Sequence, residues 1–175
     1  SIEQGGTSYT PNRGIQPLRE AVSRWLSGHY GIDYNPNTEM IITTGVSEGL
    51  DIAIRAVTDP GDELIIAEPS YVSYAPCVTL AGGIPLPVEC LEKDHFKLKV
   101  DHLMEAVSPK TKAVIINFPN NPTGAVMRQE DLKAVADVVI DHDLLLISDE
   151  VYSELTYTGT HTSAAAVEGL QERTI

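Results

Sequence analysis

A chain of 175 residues, 42% hydrophobic and 21% charged, has room for one good core and one appendage, and it is globular rather than disordered. Its formal net charge of −13 has the wrong sign for a phosphate backbone or an anionic lipid surface, so no nucleic-acid or membrane partner is expected. No apolar run approaches the ~20 residues of a spanning helix, and no secretory leader pattern opens the sequence.

In chain order, Leu18, Ala21, Val22, Trp25 and Leu26 recur at helical spacing with Pro17 in the first turn, which predicts an amphipathic helix. Residues 40–44 read as a strand, and 48–57 as a helix with Leu50, Ala53, Ile54 and Val57 inward. Asp59-Pro60-Gly61-Asp62 is a turn leading into a strand over 63–67. A helix is expected within 72–81, restricted by Pro76 and ended by Gly82-Gly83. The run 84–88 reads as a strand whose Pro85 and Pro87 suit an edge or a bulge. Asp101 is placed to cap a short helix reaching Val107. A strand over 113–117 follows, then a helix over 130–142 with Leu132, Val135, Ala136, Val139 and Ile140 on one face, then a strand over 144–148.

Apolar strands alternating with amphipathic helices predict an α/β fold: a doubly wound, mostly parallel sheet with helices on both faces. Residues 1–36 read as a helical segment or arm, and 37–175 as the main domain. With no starting methionine at Ser1, and Arg173-Thr174-Ile175 stopping where a new strand would begin, the chain reads as a piece of a longer protein. Cys77 and Cys90 lack metal spacing and suit a reduced, cytoplasmic setting. His29, His95, His102 and His142 flank turns or helices and read as solvated.

Ligands of open α/β sheets bind at the carboxyl ends of the strands, so the polar loops there carry the functional reading. Thr43-Thr44-Gly45-Val46-Ser47-Glu48-Gly49 joins strand to helix: its free amides suit a phosphate, or Ser47 is simply the helix cap. It matches neither the Walker loop nor the dinucleotide fingerprint. Gly45 to Gly49 also fits Gly-x-Ser-x-Gly, and Asp149 and His161 follow in Ser…Asp…His order, which keeps a serine hydrolase as a distant alternative. Against it, only a helix precedes the motif and no His-Gly-Gly oxyanion segment is present. Tyr71 follows a strand and either stacks on a ligand ring or fills the core. Asp149 ends a strand and either pairs with a protonated pyridine nitrogen or caps a helix over 150–155. Tyr152 lies one turn further on, and with Asn121 it is placed to share a ring phenolate oxygen.

These stretches have a familiar order. Tyr9-Thr10, Gly14, Leu18-Arg19-Glu20-Ala21, Ile42-Thr43-Thr44-Gly45, Asp59-Pro60-Gly61-Asp62-Glu63, Glu68-Pro69-Ser70-Tyr71, Asn120-Asn121-Pro122-Thr123-Gly124 and Ser148-Asp149-Glu150-Val151-Tyr152 run over nearly the whole chain. Together they resemble the middle of a class I aminotransferase, of the pyridoxal-phosphate-dependent fold-type I superfamily. The resemblance implies that residues 37–175 are part of a cofactor-binding large domain. It implies that Gly45, Val46 and Ser47 hold the phosphate of pyridoxal 5'-phosphate, that Tyr71 stacks on its ring, that Asn121 and Tyr152 bind the ring oxygen, and that Asp149 pairs with the pyridine nitrogen. Tyr9 matches a tyrosine that reaches a neighbouring subunit's cofactor, which implies a homodimer. The implied substrates are an amino acid and a 2-oxo acid, and a cis bond is implied at Asn121-Pro122.

Departures from the family pattern are equally informative. The family's Schiff-base lysine sits in a Ser/Thr-x-x-Lys loop that would lie beyond Ile175, and Lys93, Lys97, Lys99, Lys110, Lys112 and Lys133 are in no such loop. The arginine that clamps the substrate carboxylate is also downstream. No catalytic residue is therefore assigned here; these 175 residues alone are expected to be inactive and to bind the cofactor weakly or not at all. Tyr74 stands where some members carry a histidine supporting the aspartate, so that support must differ. A carbon–sulfur lyase and the cofactor-binding module of a transcription regulator are alternatives on the same fold.

Overall fold

The computed structural model of the chain describes residues 3, 5, 6 and 9–175. It forms two compact units, Ser1–Gly45 and Val46–Ile175.

In the first unit, Pro17 sits in the opening turn of helix α1 (Gln16–Tyr30), which ends at Gly31 in a left-handed conformation with its N–H on the Ser27 carbonyl. The helix is the one the spacing predicts, but its apolar stripe is open: Leu18 and Trp25 are exposed, and Arg19 is the buried residue of the helix. The Arg19 guanidinium donates to the carbonyls of Gly14 and Pro36, so a long stem with a hydrogen-bonding head fills the interior of this small unit. Residues 40–44 are not a strand. A strand needs a ladder, whereas this segment ties back through one bond from Ile42 N–H to the Arg13 carbonyl (3.1 Å) and lies across Gly14. A Cβ on Gly14 would meet the Ile42 side chain at 2.6 Å, so the close crossing requires glycine there.

The second unit is built on four parallel strands: β1 (Glu63–Glu68), β2 (Ile84–Glu89), β3 (Thr111–Asn117) and β4 (Leu145–Asp149), in the order β2-β1-β3-β4. β2, carrying Pro85 and Pro87, takes an edge, where missing ladder donors cost least. Alternate residues face opposite ways, and both faces are buried. Ile65, Val114, Ile116 and Leu146 meet helices α4 (Val100–Ala106) and α5 (Gln129–Asp141) on one side. Leu64, Ile66, Ala113, Ile115 and Ile147 meet α2 (Val46–Val57) and α3 (Tyr74–Leu80) on the other. This is the doubly wound α/β arrangement that the alternation predicts.

Three local expectations change. Asp101 does not cap α4: Lys99 holds the cap position, and Asp101 lies in the first turn, where its charge complements the helix's positive end. Ile140 of α5 stays exposed while Val138 is buried; its side chain lies over Gly169, where a Cβ would meet Ile140 Cδ1 at 2.6 Å. After β4 no α-helix spans 150–155, only a 3-10 turn at Ser153–Leu155. Past that turn the chain returns along β4: Ile175 N–H bonds the Leu146 carbonyl and Ser148 N–H bonds the Ile175 carbonyl, both at 2.9 Å. The peptide bond Asn121-Pro122 is cis, as expected, and Glu68-Pro69 and Phe118-Pro119 are cis as well. Among the described residues no helix is long and apolar enough to cross a membrane.

Candidate functional site

Because β1, β3 and β4 are parallel and adjacent, their carboxyl ends open on one edge of the sheet. Asp149, the last residue of β4, is buried there. Its Oδ2 accepts the Tyr74 hydroxyl at 2.7 Å and its Oδ1 accepts the Val151 N–H at 3.1 Å. The second bond is an Asx-type turn, which takes the place of the helix cap considered for this residue. Both donors are neutral, and among the described residues no ion pair includes Asp149. A carboxylate has about four acceptor positions, and a buried one without a counter-charge is costly, so this group suits a cationic partner.

Tyr74 opens α3 and is almost wholly buried against Leu50, Ile54 and Val78. Burial, reinforced by the bond to Asp149, pushes its phenol far above the usual tyrosine range, so it stays a neutral donor. Tyr71, one turn earlier, meets Tyr74 edge-on with ring centroids 5.8 Å apart. Hydrogen bonds with the Ser73 and then the Ser47 side chains draw the Tyr71 phenol below its ordinary range. Tyr71 follows β1, and Ser47 lies in the first turn of α2. Ser47 is the second residue of that 12-residue helix and so is not its cap. With Val46 it presents first-turn amides that no intrahelical carbonyl can reach. Gly45, just before the helix, has φ +83, and nothing lies within 4 Å of where its Cβ would stand.

The loop after β3 joins the same network. Asn117 donates Nδ2 to the Asp149 carbonyl and accepts the Asn121 N–H at its Oδ1, both at 2.8 Å. Asn120 donates to the Pro69 carbonyl at 3.0 Å and accepts from the N–H and hydroxyl of Thr123. Tyr152 follows Asp149 by three residues, at the cap of the 3-10 turn after β4. Tyr71 and Asp149 thus meet at Tyr74, and Asn121 is tied to the Asp149 strand end through Asn117. Tyr9, in the first unit, is fully exposed.

Asn117, Asn120 and Glu150 carry more of this edge than the sequence reading assigned to them. For Asn117 the signal in the sequence is a polar side chain closing a strand that is otherwise apolar and buried. Glu150 gathers the following loop, accepting from Ser148 Oγ (2.9 Å), Ser163 Oγ (3.1 Å) and Ala164 N–H (2.8 Å) on Oε1, and pairing with His161 Nε2 (2.8 Å) on Oε2. The hydrolase alternative gains no support: Asp149 is engaged by Tyr74 and His161 by Glu150. His29 is exposed, as expected, and stacks on Trp25 with ring centroids 4.5 Å apart, while His102 lies against the Glu89 carbonyl at 3.2 Å.

A doubly wound sheet whose strand ends gather a buried aspartate, paired tyrosines and an Asn-Asn-Pro loop defines a class of proteins, and comparison identifies it. The family described as aminotransferase class I and II matches residues 1–174, and the chain belongs to that family. It is 45% identical over 176 residues to aromatic-amino-acid aminotransferase 2 of Thermococcus litoralis, covering 100% of this chain and 45% of that protein. It is 43% identical over 176 residues to an aspartate aminotransferase of Pyrococcus abyssi, again covering 100% of this chain and 45% of that protein. The crystal structure of an aromatic aminotransferase from Pyrococcus horikoshii OT3 superposes with a TM-score of 0.96 at 44% identity, covering 99% of this chain and 47% of that one. The chain therefore spans about 45% of the length of these relatives. None of these matches supports the lyase, regulator or hydrolase alternatives.

Proposed function

We propose that the full-length protein carrying this chain is a pyridoxal-phosphate-dependent aminotransferase, working as a cytoplasmic homodimer on an amino acid and a 2-oxo acid. The observation that carries the reading is Asp149: a buried carboxylate at a strand end, bonded among the described residues to two neutral donors, suited to a ring cation. The amides of Val46 and Ser47, the Ser47 hydroxyl and the open backbone at Gly45 suit the cofactor phosphate. Tyr71 offers an aromatic face for the pyridine ring. The Asn121 side chain and the Tyr152 hydroxyl suit the ring oxygen. Tyr9 is assigned to the phosphate of the neighbouring subunit's cofactor.

When bound, the cofactor supplies an electron sink for charge released at the amino acid's Cα. The residues of this chain orient it and tune it. Asp149 holds a proton on the pyridine nitrogen, which keeps the ring electron-poor. Asn121 and Tyr152 donate to the ring oxygen and lower its basicity. None of the lysines present is assigned to the proton transfer.

The test is a transamination assay on the full-length protein, with the keto product of each amino acid identified by mass. The expected result is activity that requires pyridoxal phosphate, lost in Asp149→Ala while bound cofactor remains detectable by absorbance. Full activity in Asp149→Ala, or activity independent of the cofactor, overturns the assignment.

A further inference from the structure

Past β4 the chain leaves its core. Residues 151–162 are all exposed or half-buried, with Val151, Leu155 and Tyr157 among the exposed ones, and close packing resumes at Ser163, Ala164 and Ala165. Apolar burial is therefore a weak anchor for the stretch that carries Tyr152, and a charged side chain supplies a stronger one. The Glu150 carboxylate reaches across 14 positions to accept the Ala164 N–H on Oε1 at 2.8 Å. The same oxygen accepts the Ser163 hydroxyl at 3.1 Å and the hydroxyl of Ser148, on β4 itself, at 2.9 Å; Oε2 pairs with His161 Nε2 at 2.8 Å. One carboxylate thus joins the end of the strand to the far end of the loop and closes the loop at its base. Within the loop, Ser153 N–H returns to the Glu150 carbonyl at 2.9 Å and Leu155 N–H to the Tyr152 carbonyl at 2.8 Å, so Tyr152 sits in a turn whose first residue is Glu150.

We propose that Glu150 is a positioning residue for Tyr152: by closing the loop at its base, its carboxylate keeps the Tyr152 phenol aimed at the cofactor's ring oxygen, and so lowers the basicity of that oxygen. The inference rests on the cofactor reading above. It assigns Glu150 no contact with substrate or cofactor; Glu150 acts through Tyr152. Without the carboxylate, Ser148, Ser163, Ala164 and His161 lose a shared partner and the base of the loop opens. The turn at 150–153 is then left to its backbone bond and to the contact of Val151 N–H with Asp149. The Tyr152 hydroxyl is spread over several orientations. A hydrogen bond to an anionic oxygen is strong only when aligned, so the ring oxygen regains basicity.

The test uses the full-length protein and pyridoxamine 5'-phosphate, which needs no covalent bond to be held. Ionisation of its ring oxygen is followed by absorbance against pH at saturating ligand, and stability by thermal unfolding. Tyr152→Phe is expected to raise the midpoint by about one to two pH units, the scale of one hydrogen bond to a charged group. Glu150→Ala is expected to raise it by a smaller step, and the double variant to match Tyr152→Phe alone, because the two residues act on one bond. Glu150→Gln keeps an acceptor for Ser163 and Ala164 and restores most of the wild-type midpoint. Where Glu150→Ala does not fold, His161→Ala removes a single tie and takes its place in the cycle. Val167→Ala, buried in the core just past the loop, lowers the unfolding temperature but leaves the midpoint in place. A midpoint unmoved or lowered by the loop substitution, shifts that add in the double variant, or an equal shift in Val167→Ala overturns the positioning role while the cofactor reading stands. An unmoved midpoint in Tyr152→Phe takes Tyr152 off the ring oxygen and overturns the inference with it. Failure of the wild type to bind pyridoxamine phosphate overturns the cofactor reading itself.

Discussion

Asn117 is the joint between β3 and β4, and Asn117→Ala tests how the site is held together. Its side chain satisfies the Asp149 carbonyl and the Asn121 N–H, each at 2.8 Å, and the residue is 2% exposed. Truncation leaves both backbone groups without a partner. A buried orphan costs about 1–3 kcal/mol. The carbonyl is buried and sits at the upper part of that range; the amide is only part-buried and sits at the lower. Together they give about 3 kcal/mol, which for a chain of this size lowers the melting temperature by roughly 6–12 °C. Asn117→Asp is the sharper control. A carboxylate still accepts the Asn121 N–H but cannot donate to the Asp149 carbonyl, and it adds a second buried negative charge beside Asp149. Asn117→Asp is therefore expected to be less stable than Asn117→Ala at neutral pH and to regain stability as the pH falls. Urea and thermal unfolding at two pH values measure this. A cost under about 0.5 kcal/mol for Asn117→Ala, the scale of an ordinary surface substitution, would refute the claim that this side chain joins the strands.

Gly83→Ala is expected to destabilise by about 1–3 kcal/mol through overpacking, since a Cβ there meets Thr58 Cγ2 at 2.8 Å and Val78 Cγ1 at 3.1 Å; an unchanged urea midpoint would count against it. Burial pushes the Cys90 thiol up to about 11 and raises the half-buried Cys77 thiol as well, so at pH 8 an aromatic disulfide reagent should label Cys77 slowly and Cys90 only on unfolding. Rapid labelling of Cys90 in the folded protein would contradict that burial. Tyr74 also predicts an alkaline limb. Its folded phenol is raised, so its contribution is complete below the unfolded value of about 10 and falls as the pH climbs past it, because the unfolded chain then releases a proton that the native state keeps. Tyr74→Phe should make the loss of stability above that pH shallower by up to about 1.4 kcal/mol per pH unit; identical limbs in denaturant titrations would rule this out.

Much of this molecule is written in local pattern. The runs around Ile65, Val114 and Leu146 are apolar on every residue, which only a strand buried on both faces requires, and the intervening helices show a 3.6-residue stripe. Pro85 and Pro87 announce an edge strand for the same local reason, since each lacks a donor. Asp149, Tyr152, Asn121, Tyr71 and Ser47 could be picked out because each follows or ends a strand, or opens a helix beside one. Residues 40–44 carry a strand's local pattern without forming one, because a strand depends on a partner that local pattern does not contain. The stripe of α1 could be recognised, but that it stays uncovered in its unit while Arg19 is buried could not.

The sequence by itself determined the four strands of the sheet, the helices between them and the polar residues at the strand ends, because propensity and periodicity are properties of neighbours along the chain. Only the tertiary structure decided that Tyr74 supports Asp149 across 75 positions, that Asn117 joins Asp149 to Asn121, and that His161 belongs to Glu150. Those choices depend on strand order and register, and hydrogen bonds of a few ångströms between distant residues exist only once the sheet has brought them together.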